Sequence, residues 1–193
     1  MDKEIIRCKW SLGDKADEHY HDTQWGVPIH DDSLWFEFLT LEGAQAGLSW
    51  RTIVNKIDGY QQSFKNFDIN KVAIMTDEEL DLLLTNPRII RNRLKVYSTR
   101  NNAQQILKIQ KEFGSFDKYI WAFVDHKTIH NQFASLKDIP ATTDISDKMC
   151  KDLKKRGFKF IGSTICYALM QASGMVNDHE VTCFRYKQVQ NQV

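Results

Sequence analysis

Four side chains near the two ends of the chain have the types and spacing of a tetrahedral metal site. Cys8 and His21 form a C-x12-H pair, and His179 and Cys183 form an H-x3-C pair. Residues four apart on a helix project from one face, about 6 Å apart, so the second pair is expected on a helix. Two thiolates and two imidazoles suit Zn²⁺, and four protein ligands make a closed, structural site with no position left for water. One such ion would clasp the termini together. Four cysteines and six histidines also produce loose pairings by chance, so spacing alone leaves both a metal and ordinary buried side chains open. Cys150 and Cys166 fall in apolar helical runs and read as plain buried thiols.

Two further features carry chemistry. Residues 154–164, from Lys154 through Arg156, Gly157, Lys159 and Gly162 to Ser163 and Thr164, are basic and feed into a helix start. Glycine lets the backbone approach an oxyanion, and the first N–H groups of a helix have no internal partner. A tight turn between two helices also needs glycine, so the segment fits a phosphate or a bare turn. Glu42, in Leu41-Glu-Gly43, follows a run of apolar and aromatic residues. A carboxylate there is costly without a partner; either a neighbour satisfies it or it faces a ligand.

The elements that must position these groups are helical. Asp32 or Ser33 can cap a helix running through Leu34, Phe36, Phe38, Leu39 and Leu41. Thr76 with Glu79 forms a capping box ahead of Leu80, Leu83 and Leu84 on one face. Pro87 precedes a long helix with Leu94, Tyr97, Ile106, Leu107 and Ile109 at near-helical period. Ser115 starts an aromatic helix, Ser146 another, and Ser163 or Thr164 caps a last buried one that Gly174 ends at C′. Residues 125–145 read as a long irregular connection, and residues 185–193 as a frayed polar tail. Sustained alternation for strands is missing, so the predicted fold class is all-α.

At 193 residues and 42% hydrophobic, the chain can bury a full core without a staple. Residues 1–184 are expected to form a single unit, as one domain or as two small lobes around a groove. Scattered cysteines and the lack of a leader or membrane-length apolar run point to a reducing cytoplasm and to no membrane partner. A net charge of +1 argues against coating a polyanion. Local clusters at Arg88, Arg91, Arg93 and Lys95, and at Lys151, Lys154, Lys155, Arg156 and Lys159, suit a focused polyanion contact or two solvated helix faces.

Most of the chain resembles the bacterial DNA-3-methyladenine glycosylase I family, within the helix–hairpin–helix superfamily of DNA base-excision glycosylases. The matching stretches are Arg7-Cys-Lys-Trp10, Tyr20-His-Asp22, Gln24-Trp-Gly-Val-Pro28, Leu41-Glu-Gly43, Gln45-Ala-Gly-Leu-Ser-Trp50, Ile89-Ile-Arg91, residues 154–162 and Asn177-Asp-His179. The resemblance implies a monofunctional hydrolase that releases 3-methyladenine from alkylated double-stranded DNA, acting as a monomer. It implies one structural zinc held by Cys8, His21, His179 and Cys183. It places Trp10, Tyr20 and Trp50 around an extruded base, Glu42 on its exocyclic amine, and Gly157, Lys159, Gly162 and Ser163 on DNA phosphates. Trp25 reads equally as pocket or core. Leu48 suits an apolar plug for the vacated stack, with ordinary core as the alternative.

Two departures from the superfamily matter. Asn177 stands where many of those enzymes carry a catalytic aspartate; Asp178 could substitute, or could serve as a cap or a support to the metal site. Gly162-Ser163-Thr164 lacks the Schiff-base lysine of the lyases, so strand cleavage is not expected. The competing reading is a zinc-clasped helical DNA-binding module without catalysis.

Overall fold

The computed structural model describes residues 5–191. Residues 1–4 of the expected unit and 192–193 of the expected tail lie outside the described residues. In chain order the helices are α1 (Lys15–Thr23), α2 (Asp32–Gln45), α3 (Trp50–Val54), α4 (Ile57–Ser63), α5 (Ile69–Ala73) and α6 (Asp77–Leu83). Then follow α7 (Arg93–Phe113), α8 (Phe116–Trp121), α9 (Asp144–Lys155), α10 (Ser163–Ala172) and α11 (Phe184–Gln190). None of them is long and apolar enough to cross a membrane.

The centre of the molecule is α2, which is apolar nearly all round and is therefore buried rather than amphipathic. Trp35, Phe36, Leu39 and Leu41 on it are each almost fully enclosed, against α7, α8 and α10. Its N-cap is Asp31, whose carboxylate accepts from the N–H groups of Ser33 and Leu34, a cap that contributes about 1 kcal/mol. Asp32, expected in that role, instead accepts from the backbone N–H groups of Phe116 and Asp117 at 2.9 and 2.8 Å. It caps α8 from across the core, which a scan along the chain could not register. The Thr76–Glu79 capping box and the Ser115 cap are present.

Three expectations are corrected. The connection 125–145 is largely irregular, as expected, but β1 (Ile129–His130) within it pairs in parallel with β2 (Val176–Asn177), and α9 begins at Asp144 with Thr143, not Ser146, as its cap. Strands of two residues are too short for alternation to show, so the helical fold carries a small parallel bridge. The tail is ordered as α11, with Arg185, Tyr186 and Val189 buried, and the Asn177 side chain donates to the Tyr186 carbonyl at 3.0 Å. α10 is capped by Gly162 without a side-chain bond. The Ser163 hydroxyl bonds to Ser146 at 2.8 Å and to Asp147, tying α10 to α9.

Gly174 does occupy C′ of α10, at φ +73°. A second constraint also acts there: a Cβ would lie 2.4 Å from the backbone nitrogen of Pro28. This close approach lets the segment after α1 run beside the end of α10, with the Ile29 N–H donating to the Ser173 carbonyl at 3.2 Å.

Candidate functional site

The two halves of the Cys/His pattern meet. Donor atoms of Cys8, His21, His179 and Cys183 all lie within 4.8 Å of one another, and all four residues are buried. Sulfur-to-nitrogen separations are 3.6 Å for Cys8–His179, 3.5 Å for Cys183–His21 and 3.8 Å for Cys183–His179. Tetrahedral Zn–S and Zn–N bonds require edges of about 3.6 Å. The outer atoms fit as well. His21 turns Nδ1 to Asp22 at 2.8 Å, which Arg7 clamps with two nitrogens, and His179 turns Nε2 to the Trp25 carbonyl at 3.2 Å. Each imidazole thus directs its other nitrogen at the sulfurs, as metal-ligating histidines do. Burial lowers the His179 ring below its ordinary value, favouring the neutral form a metal needs. The donor set could hold a divalent metal. The expected helical setting of His179 and Cys183 is not found: they lie on the turn between β2 and α11, with Cys183 as the α11 N-cap.

Three of the four residues sit beside a ring of the neighbouring pocket. Trp10 is two residues from Cys8, Tyr20 adjoins His21, and the carbonyl of Trp25 meets His179. The centroids of Trp10 and Trp25 are 5.1 Å apart, and those of Tyr20 and Trp50 are 5.0 Å apart. These four rings and Glu42 line a pocket of about 200 Å³, completed by Gln45, Leu136, Ile139, Ala168 and Gln171. The other tryptophans are structural: Trp35 donates to Asp117 and Trp121 to the Ile29 carbonyl, both at 2.9 Å.

Glu42 projects from α2 and is only 5% exposed. Burial alone pushes its carboxyl up to about 8. The Tyr20 hydroxyl beside it and the Trp50 indole N–H are buried without a partner among the described residues. Burial, and then the charge of Glu42, raises the Tyr20 hydroxyl further. Unpartnered polar groups among aromatic rings are arranged for a ligand rather than for each other.

Sequence reasoning missed five pocket residues. Gln45 had a usable signal, standing three residues after Glu42 on the same helix face. Leu136 and Ile139 come from the long irregular connection, and Ala168 and Gln171 from α10.

Leu48 is not core. It is 41% exposed on the turn between α2 and α3, after Gly47 at φ +78°. Asp178 lies outside the pocket, where its carboxylate accepts from Asn131, Tyr167 and Gln171.

The basic segment joins α9 to α10. Gly157 turns the chain at φ +90°, Phe158 and Ile161 anchor the loop in the core, and Lys159 is exposed at its tip. Asn102 of α7 bonds both the N–H and the carbonyl of Lys159, at 2.9 and 3.0 Å. Arg156 pairs with Glu112 and Asp152. In the mid-chain cluster, Arg93 pairs with Asp81, and Lys95 binds carbonyl oxygens. Arg156, Arg93 and Lys95 are therefore engaged within the protein.

Fold and site define a helical protein with a braced basic loop between two helices and an aromatic, carboxylate-bearing pocket. Residues 10–186 match the Methyladenine glycosylase family model. The chain is 44% identical over 180 residues to DNA-3-methyladenine glycosylase 1 of Escherichia coli (strain K12), covering 93% of this chain and 96% of that one. A crystal structure of 3-methyladenine DNA glycosylase I superposes with TM-score 0.90 at 46% identity, covering 93% of this chain and 98% of the other. The structure of the Staphylococcus aureus 3-methyladenine DNA glycosylase I, concerned with 3-methyladenine recognition, gives TM-score 0.90 at 36% identity over 94% and 97%. The chain belongs to the methyladenine glycosylase family.

Proposed function

We propose that this protein is a monofunctional base-excision glycosylase that hydrolyses the N-glycosidic bond of 3-methyladenine in alkylated double-stranded DNA. It releases the free base and leaves an abasic site. The observation that carries the reading is Glu42: a buried carboxylate with no hydrogen-bond partner among the described residues, facing a pocket ringed by Trp10, Tyr20, Trp25 and Trp50.

Methylation at N3 makes the adenine cationic and weakens its bond to the sugar. The aromatic faces hold that cation more firmly than a neutral base, by about 0.5–2 kcal/mol. Glu42 accepts from the exocyclic amine, and its charge is favoured once a cation faces it. The bond to C1′ then breaks with its electrons going to the ring, so the base departs neutral and needs no proton. Water adds to the oxocarbenium-like sugar and releases its proton to solvent, while Glu42 and the DNA phosphates stabilise the positive charge.

The base must leave the stack first. The exposure of Leu48 on a glycine turn supports its role as the plug. The loop of α9 and α10 acts as the helix–hairpin–helix element: Gly157, Lys159, Gly162 and the N–H of Ser163 bind phosphate and set register. One zinc at Cys8, His21, His179 and Cys183 is structural, fixing the segments that carry Trp10, Tyr20 and Trp25. Asn177, fully enclosed and bonded to the Tyr186 carbonyl, supplies no base, and no lysine follows Gly162, consistent with hydrolysis alone. The enzyme works as a monomer.

Chromatography of bases released from dimethyl-sulfate-treated duplex DNA tests this. Release of 3-methyladenine, with 7-methylguanine left in place, is expected. DNA binding with no base released would reduce the protein to a zinc-clasped binding module.

A further inference from the structure

We infer that Gln171 is a second recognition residue for the exocyclic amine of the base, with its carboxamide oxygen held toward the pocket by Asp178. The inference rests on the proposed base-excision reading.

Gln171 lies one turn after Ala168 on α10, and both line the pocket that Glu42 enters. Its Nε2 donates to Asp178 Oδ2 at 2.8 Å. Asp178 is almost fully buried, and its carboxylate also takes the Tyr167 hydroxyl at 2.6 Å and the Asn131 amide at 2.7 Å. With three donors converging on it, this carboxylate is the acceptor. The Gln171 carboxamide therefore cannot turn over without losing a charge-assisted bond and setting oxygen against oxygen. What remains is one N–H of Nε2 and the acceptor Oε1, and only Oε1 can take an amine N–H. Gln45, the other carboxamide in the pocket, is held by no comparable partner among the described residues and can present either end.

An exocyclic amine carries two N–H donors. Glu42 takes one and Gln171 Oε1 the other. A base with a carbonyl oxygen at that position satisfies neither, and a site built around hydrogen bonds rejects the analogue that cannot make them. Asp178, where the sequence raised the prospect of a catalytic carboxylate, is a positioning residue acting through Gln171.

The test compares binding of two free bases, 3-methyladenine and 3-methylhypoxanthine, which differ in having an amine or a carbonyl at this position. Both are followed by the fluorescence of the pocket tryptophans. Wild type is expected to prefer 3-methyladenine. Gln171→Met, which keeps length and helix propensity, should lose about 10-fold for 3-methyladenine and stay within about 2-fold for 3-methylhypoxanthine. Asn131→Ala removes another donor from the same carboxylate and should leave the preference intact, separating recognition from a loosened fold. Unchanged preference in Gln171→Met, or an equal loss for both bases, overturns the inference while the pocket reading stands. Failure of wild type to bind 3-methyladenine overturns both.

Discussion

Lys95 Nζ donates to the carbonyl oxygen of Ala46 at 2.7 Å, and to that of Ala44 at 2.8 Å. A residue that stands among basic neighbours in the sequence thus caps the C-terminus of the helix carrying Glu42. Lys95→Met should destabilise the fold by about 1–2 kcal/mol in denaturant titration and leave the salt slope of DNA binding unchanged. A slope shallower by about one would instead mark Lys95 as a phosphate contact.

Lys159 and Arg156 should behave oppositely. Lys159→Ala is expected to weaken DNA binding and reduce the salt slope by about 0.9, one phosphate's worth, without lowering Tm. Arg156→Ala should lower Tm and keep the slope, because its guanidinium is committed to Glu112 and Asp152. Equal slopes in Lys159→Ala and wild type would remove the loop tip from the DNA interface.

Glu42→Gln should abolish most excision, and it carries a stability signature with a fixed sign. The folded carboxyl sits at about 8 through burial, above its unfolded value near 4.3. The native state therefore holds the extra proton between these values, and wild-type stability falls as pH rises from about 4 through about 8. Glu42→Gln lacks that loss. It should match wild type near pH 4 and exceed it near pH 9, by on the order of 3–5 kcal/mol. Parallel unfolding curves at the two pH values decide; a constant difference would mean Glu42 has a partner in solution.

Removing the proposed metal should lower stability and excision in step, because Cys8, His21 and His179 adjoin the pocket rings. Co²⁺ replacement should restore both. Asp22→Asn, which loosens the support of His21, should weaken metal affinity by about 10–100-fold in a chelator competition. Loss of excision with Tm intact would point to a catalytic ion.

Truncation after Phe184 should cost at least about 3 kcal/mol from the buried Tyr186 and Val189. It should also release Asn177 from the Tyr186 carbonyl. A truncated chain with wild-type Tm would return the segment to the status of a tail.

The sequence by itself determined the helical class, the capping box at Thr76 and the C′ glycine at Gly174, because these depend on neighbours a few residues away. It also marked Cys8, His21, His179, Cys183, Glu42 and the tryptophans, whose chemistry is costly to bury without a purpose. Only the tertiary structure decided where charges go. Arg156, Arg93 and Lys95 look alike in sequence, yet Arg156 finds Glu112 as well as its near neighbour Asp152, Arg93 finds Asp81 on another helix, and Lys95 finds the carbonyl oxygens of Ala44 and Ala46. The same holds for Asp32 capping α8, for the strands of two residues, and for Asp178 fixing Gln171. A hydrogen bond acts over about 3 Å of space, and no spacing along the chain records which distant groups folding brings within that reach.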